Sequence, residues 1–344
     1  MADLFIAWAP HNRRSQQLAA ALGLELHFIH RLRYRSPFHA PVKYPLMAME
    51  TWRLLARARP EVVFVQNPPP LLPLVVLAFA ARHPLRLVVD HHTAAFSRAW
   101  AWLGPLRPWI ARRAAVNLVT NEHWQEVIQT WGGKSLILDD VPTRFPEREP
   151  YPLPAGQHVA VISSFAPDEP LEEVLGAARV LPEVHFHITG DVRRASAWLL
   201  QAAPSNVQFT GFLPDEQYFG LLRAVDAIVV LTTRDHTNQR GGCEGVWLGK
   251  PLVLSDWPAL RRAFHGGAVF VRNTAMDIAR GVREALERWG ELSAGIHALQ
   301  RERRVHWVKI SACLRGVLER GHLLQENACA RKGIETCTDR PISS

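Results

Sequence analysis

The stretch that decides the fold is Leu231-Thr-Thr-Arg-Asp-His-Thr-Asn-Gln-Arg-Gly-Gly-Cys-Glu-Gly-Val-Trp-Leu-Gly-Lys-Pro-Leu-Val-Leu254. An apolar strand ends at Leu231 and a polar loop follows it. A helix opens near Gly241-Gly242 with Glu244 in its first turn, and Lys250-Pro251 leads into the next strand. Glycine lets a ligand approach the backbone, and unpaired N–H groups at a helix start attract anions. Arg234 and Arg240 offer charge-assisted bonds to phosphate, and Glu244 offers an acceptor to ribose or sugar hydroxyls. The pattern points to a ligand both anionic and rich in hydroxyls. On the residues alone a plainer reading stays open, in which Glu244 complements the helix dipole and the glycines make a turn.

Outward from this stretch the sequence repeats one theme. Leu4–Ala9, Leu24–Ile29, Glu61–Gln66, Leu85–Asp90, Val116–Thr120 and Ser135–Asp139 read as strands. Arg13–Leu22, Tyr44–Arg57, Leu71–Ala81 and Glu122–Thr130 read as helices between them. Proline-rich Val141–Gly156 breaks the pattern. Strands then resume at His158–Ser163, Val184–Thr189, Val207–Thr210, Ala227–Leu231, Pro251–Leu254 and Ala268–Val271. Helices are expected over Leu171–Val180, Ala195–Ala202, Asp215–Ala224, Gly242–Leu248 and Ala259–Phe264. Uniformly apolar strands alternating with helices imply parallel sheets covered on both faces. The expectation is an α/β protein of two tandem Rossmann-like, doubly wound parallel-sheet domains facing a cleft, with ligands at the carboxyl ends of the strands. The boundaries predicted are an acceptor-side domain over 1–140, a linker over 141–156, and a donor-binding domain over 157–320. The final helix is expected to cross back to the first domain, and a disordered tail to follow over 321–344.

The chain has 344 residues, 48% of them apolar and 21% charged, an ordinary globular balance. Met1–Pro10 lacks a basic stretch and its apolar run is short, so no signal peptide is expected. Leu71–Ala81 is too short to span a bilayer and reads as a buried helix. The expected localisation is cytoplasmic. None of Cys243, Cys313, Cys329 and Cys337 forms a C-x-x-C pair, so reduced thiols are expected and neither a zinc site nor a disulfide framework is. Residues 1–150 hold 18 Lys and Arg against 11 Asp and Glu, and the remainder 22 against 21. The basic first half suggests an anionic partner. Phe96–Arg113, with Trp100, Trp102 and Trp109 among Arg98, Arg107, Arg112 and Arg113, suits a lipid headgroup interface as well as it suits a core helix. Basic residues also cluster over Arg31–Arg35.

The Leu231–Leu254 stretch resembles the donor-binding loop and helix of sugar-nucleotide glycosyltransferases of the two-domain GT-B fold. Many retaining members carry two glutamates that bracket seven residues, the second followed by a small residue and Gly-Lys-Pro. Glu244 with Gly249-Lys250-Pro251 matches that second half, while His236 stands where the first glutamate would be, leaving Asp235 or His236 to substitute. Val207–Glu216 and Ile188–Asp191 resemble other strands and loops of the family. Ser163-Ser164 stands where many members carry a diphosphate-binding cation, so the resemblance passes that charge to Arg193, Arg234 or Arg240. Val65–Pro70, Val88–His92 and Ser163–Leu171 resemble segments of the eukaryotic dolichol-linked β-mannosyltransferase.

The resemblance implies donor-binding residues Arg193, Arg234, Asp235, His236, Arg240, Gly241, Gly242 and Glu244. It implies transfer of a hexose from a nucleoside-diphosphate sugar to a hydroxyl of a glycan or a lipid-linked, polyprenyl-type acceptor. It also implies no cofactor or metal beyond the nucleotide-sugar co-substrate. In the first half, His92, or its neighbour His91, sits at a strand end where it can serve as general base. Asn12 and Arg13, in the first loop, read as acceptor-side residues, with capping of the following helix the plainer reading of Asn12. A partner surface on an anionic membrane is expected, and no nucleic acid, because the arginines are scattered and no nucleic-acid motif is present. A sugar-nucleotide epimerase or phosphorylase would share the fold, and product analysis separates them. A salt-dependent gel shift would reveal a non-catalytic nucleic-acid binder.

Overall fold

The computed structural model describes residues 3–32, 37–145 and 151–320. The predicted tail over 321–344 lies outside them, as do residues 146–150 of the predicted linker and Arg33 and Arg35 of the basic cluster. The chain divides into two compact units, Met1–Val141 with Val305–Ser344, and Pro142–Arg304.

The first unit runs β1 (Leu4–Ala7), α1 (Arg13–Leu22), β2 (Glu25–Phe28), α2 (Ala40–Ala58), β3 (Val62–Asn67), α3 (Leu71–Ala80), β4 (Arg86–His91), α4 (Leu106–Arg113), β5 (Val116–Val119), α5 (Glu122–Thr130) and β6 (Ser135–Ile137). Its strands form one parallel sheet in the order β2-β1-β3-β4-β5-β6. Alternate side chains go to opposite faces of a strand. Phe5, Ala7, Phe64 and Val88 therefore pack on one side, with Leu18 of α1. Leu4, Ile6, Val63 and Val65 pack on the other, with Met47, Leu55, Leu72 and Val76 of α2 and α3. Both faces are buried, which is why the strands read as uninterrupted apolar runs. Asn12 and Asn121 start α1 and α5 by accepting from the N–H groups of Ser15 and Trp124.

The second unit repeats the plan. It runs β7 (Gln157–Val161), α6 (Leu171–Val180), β8 (Val184–Thr189), α7 (Ala197–Gln201), β9 (Val207–Gly211), α8 (Asp215–Ala224), β10 (Ala227–Val230), α9 (Arg240–Trp247), β11 (Leu252–Ser255), α10 (Pro258–Ala263), β12 (Ala268–Val271), α11 (Ala275–Glu287) and α12 (Trp289–Arg320). Its parallel sheet has the order β12-β11-β10-β7-β8-β9. Read from β9, that is the doubly wound order 3-2-1-4-5-6, whose direction reverses between β7 and β10. Helix α12 serves both units. Ile296 and Leu299 join the second core, while Ile310, Cys313, Leu314 and Val317, at helical spacing, join the first.

No helix among the described residues is long and apolar enough to cross a membrane. Cys243 keeps its thiol, buried beside Asn238 and Arg303.

Candidate functional site

In an open parallel sheet the ligand site lies beyond the carboxyl ends of the strands, where the strand order reverses. In the second unit that place is made by the loops after β7 and β10. The two loops are tied together by Asp168. Its Oδ2 accepts from Thr232 Oγ1 at 3.0 Å, and its main-chain oxygen accepts from Thr233 N at 2.7 Å. Arg234 Nη2 lies 3.4 Å from Asp168 Oδ1, with the side chain 64% exposed. Asp235 folds back to accept from His236 N at 2.6 Å, and His236 holds a left-handed backbone at φ 55°.

Helix α9 opens at Arg240, two residues earlier than its glycines suggest. Gly241 and Gly242 have a packing task. A Cβ on Gly241 would come within 2.8 Å of Ile162, and one on Gly242 within 2.9 Å of Phe264. They let the helix press against the sheet, and neither has a positive φ. The sequence could not separate this use of glycine from ligand approach, because both call for a missing side chain. Gly249 does take a left-handed conformation, φ 73°, to end the helix. Lys250 Nζ then donates to Val225 O at 2.7 Å, so the Gly-Lys-Pro signature is at least partly architectural.

Glu244 is 2% exposed. Its Oε2 accepts from Tyr218 Oη of α8 at 2.6 Å, and its Oε1 lies 3.7 Å from Arg240 Nε. The carboxylate is thus held between Tyr218 of α8 and Arg240 at the opening of α9. Tyr218 is a partner the sequence did not reveal, since it comes from another helix. Arg193 stands apart, 86% exposed and bound to Asp191. The structure brings Arg234, Asp235, His236, Arg240 and Glu244 into one loop–helix segment and leaves Arg193 on the loop after β8.

In the first unit the carboxyl end of β4 carries a second constellation. Asp90 is fully buried and receives Arg14 Nε and Nη2 at 3.0 and 2.9 Å on Oδ1. His92 Nε2 meets Asp90 Oδ2 at 3.2 Å. Burial alone would raise the Asp90 pKa, but the Arg14 guanidinium and His92 hold the carboxyl well below the usual range. An ionised Asp90 accepts a hydrogen bond from the Nε2–H of His92, which leaves Nδ1 as the ring's lone-pair nitrogen, on a side chain that is 20% exposed. A carboxylate orienting an imidazole is the arrangement general bases use. Arg14 is further anchored by the main-chain oxygens of Leu138 and Asp139.

His91 is placed differently. Asn67 Nδ2 lies 3.0 Å from its Nδ1, and its Nε2 lies 2.9 Å from Asn117 Oδ1. Asn117 in turn donates to Ala111 O and Lys134 O. Both nitrogens of this buried ring are used, and burial lowers its pKa to about 4. His91 is therefore a neutral structural strut, with no ring nitrogen left for the base role the sequence offered it. Asn12 caps α1. The helix-start arginine tied to this constellation is Arg14, next to the Arg13 named from the sequence. Adjacent helical residues point about 100° apart, and only burial shows which one turns inward. Asp90, too, was missed as a participant, although it precedes the two histidines in sequence.

Among the described residues no cluster of His, Cys, Asp and Glu is arranged to hold a metal ion. No model of a known protein family matches this sequence. No curated protein matches it either. Solved structures do match. Sucrose-phosphate synthase from Thermosynechococcus elongatus superposes with a TM-score of 0.70 at 13% identity, over 93% of this chain and 99% of that one. HepE of Anabaena, solved with UDP and glucose, gives 0.67 at 13% identity over 92% and 100%. A glycosyltransferase from Rickettsia africae gives 0.57 at 9% identity over 97% of each chain. Two complete six-stranded parallel sheets and these matches along almost the whole chain show that it has the GT-B fold of sugar-nucleotide glycosyltransferases.

Proposed function

We propose that this protein is a glycosyltransferase that moves a hexose from a nucleoside-diphosphate sugar to a hydroxyl of a glycan or lipid-linked acceptor. The observation that carries the reading is the strand reversal of the second sheet. It gathers Thr232, Arg234, the opening turn of α9 and Glu244 at the place where this fold takes nucleotides. HepE, of the same fold, has been solved with UDP-glucose. In this account the main-chain N–H groups at the start of α9, with Arg234 and Arg240, receive the diphosphate and stabilise it as it leaves. Glu244, braced by Tyr218, anchors the ribose or sugar hydroxyls. His92 Nδ1 takes the proton of the acceptor hydroxyl as its oxygen attacks the anomeric carbon, and Asp90 stabilises the imidazolium that results.

The test is product analysis with a panel of nucleoside-diphosphate sugars and hydroxyl acceptors. Transfer predicts release of nucleoside diphosphate that depends on the acceptor, with the sugar recovered on it. Conversion of the sugar without release would mean an epimerase, and consumption of inorganic phosphate a phosphorylase.

We infer further that the acceptor is met at an anionic membrane surface. Phe38 is 90% exposed, and Val42, Leu46 and Met49 follow it along one face of α2. Trp102 is 67% exposed, and Leu106 and Trp109 are also open in a segment that carries Arg98, Arg112 and Arg113. Exposed apolar side chains with basic neighbours suit insertion at a headgroup boundary.

A further inference from the structure

The loop after β7, Ser163-Ser-Phe-Ala-Pro-Asp-Glu-Pro170, holds two carboxylates and no cation. Yet it is built as an anion receptor. Ser163 Oγ donates to Glu169 Oε2 at 2.7 Å, and Ser164 Oγ to Oε1 at 2.9 Å. Ser164 N donates at 3.0 Å to both oxygens, and Ala166 N to Oε2 at 3.2 Å. Two hydroxyls and two main-chain N–H groups thus converge on one negatively charged group. The turn is held rigidly. A Cβ on Gly190 would stand 2.5 Å from Ser163 O, Ser163 Oγ also accepts from Phe165 N, and Phe165 adopts a left-handed backbone at φ 54°.

The position of this turn gives it meaning. In the doubly wound order 3-2-1-4-5-6 the turn after the first strand is the one that meets a dinucleotide's pyrophosphate. Here that strand is β7, and the donors that would meet phosphate are already taken by the chain's own carboxylate.

We propose that Glu169 is an internal competitor for the donor's diphosphate. It closes the phosphate-binding turn in the free protein and is displaced when donor binds. The proposal rests on the sugar-nucleotide reading of the same site. A carboxylate that stayed in place would repel the incoming dianion and leave it no donors from this turn, so binding requires Glu169 to rotate out. Its neighbour Asp168 carries the change onward, because Asp168 holds Thr232, Thr233 and Arg234 of the loop after β10. Opening the first loop therefore loosens Arg234 from Asp168 as phosphate arrives. The exposed Ser164 leaves the turn reachable from solvent.

The experiment is calorimetric titration of the wild-type chain, Glu169→Gln and Glu169→Ala with inorganic pyrophosphate and, separately, with UDP-glucose and GDP-mannose. Melting temperatures are recorded alongside. Glu169→Gln removes the charge and keeps an amide oxygen for the turn, so it decides the matter if Glu169→Ala fails to fold. The expected result is pyrophosphate affinity about tenfold higher in Glu169→Gln than in wild type, the size of one charge–charge repulsion near a protein surface. A parallel gain is expected for whichever sugar nucleotide binds. Equal or weaker pyrophosphate binding by a folded Glu169→Gln overturns the proposal, and shows that the carboxylate only braces the turn. A gain for pyrophosphate with no sugar nucleotide bound by any variant keeps the receptor turn and removes the glycosyltransferase reading. Sugar nucleotides bound equally by wild type and variant remove the competitor and keep that reading.

Discussion

Asp90 is the residue on which the acceptor-side chemistry turns, because it faces two partners at once. Removing its charge leaves Arg14 buried without a counter-ion, which costs about 3–5 kcal/mol, and it frees His92 to take the other tautomer. Asp90→Asn is thus expected to lower both the melting temperature and kcat. His92→Ala is expected to lower kcat about 10²–10⁴-fold, the range for loss of a general base, and to leave donor affinity unchanged. Wild-type turnover by His92→Ala at saturating acceptor would remove the base role. His91 makes a separate prediction about stability. Its folded pKa lies near 4, below the ordinary 6.5. As pH falls through 6.5 the unfolded chain takes up a proton that the folded chain refuses, so stability drops until about pH 4. The loss is about 3 kcal/mol, and His187, also shifted down by burial, adds to it in the same direction. Denaturant unfolding at pH 7 and pH 4.5 measures this, and His91→Asn should flatten the dependence. A wild-type chain equally stable at both values would contradict the burial argument. The strand-end position of the Asp90-His91-His92 run was legible in the sequence. Which histidine turns into the core was not, since that depends on Asn67 and Asn117, which come from neighbouring strands.

At the scale of elements, local signals set the boundaries of several helices. α1, α5, α6 and α8 start and stop where their caps, prolines and apolar spacing predict. α4, with Pro108 inside it and no side-chain cap, was read only as part of a Trp- and Arg-rich segment. α9 shows why a motif and its task can come apart. Its glycines are visible in sequence, but their partners Ile162 and Phe264 are brought to them only by the folded sheet. Gly241→Ala forces a methyl into Ile162. It is expected to cost about 1–3 kcal/mol, as overpacking does, and to lower the melting temperature by several degrees. Donor affinity should fall with it, because the opening turn of α9 must move off the sheet. An unchanged melting temperature in Gly241→Ala would show that the helix does not press on the sheet as closely as described.

For the molecule as a whole, the restart of strand–helix alternation after the proline-rich stretch was enough to expect two parallel sheets, and both are present with six strands each. Charge asymmetry pointed to the first half as the basic one, but the exposed face of α2 was hidden in a helix that reads as ordinary amphipathic sequence. If that face and the Trp102–Trp109 segment meet a membrane, the protein should co-sediment with anionic liposomes at low salt. It should be released at about 1 M salt, where the Debye length is near 3 Å. Recovery in the supernatant with both anionic and neutral liposomes would remove the membrane reading and leave the sugar chemistry untouched. That chemistry depends on a nucleoside-diphosphate sugar held by the loop after β10 and the start of α9. Glu244→Gln keeps an acceptor for Tyr218 and so preserves the packing while removing the charge. The decisive measurement is calorimetric titration of wild type and Glu244→Gln with a panel of nucleoside-diphosphate sugars. Saturable binding of at least one of them by wild type is expected, with binding about tenfold weaker, roughly 1.4 kcal/mol, in the folded variant. No binding by wild type, or equal binding by both proteins, would contradict it.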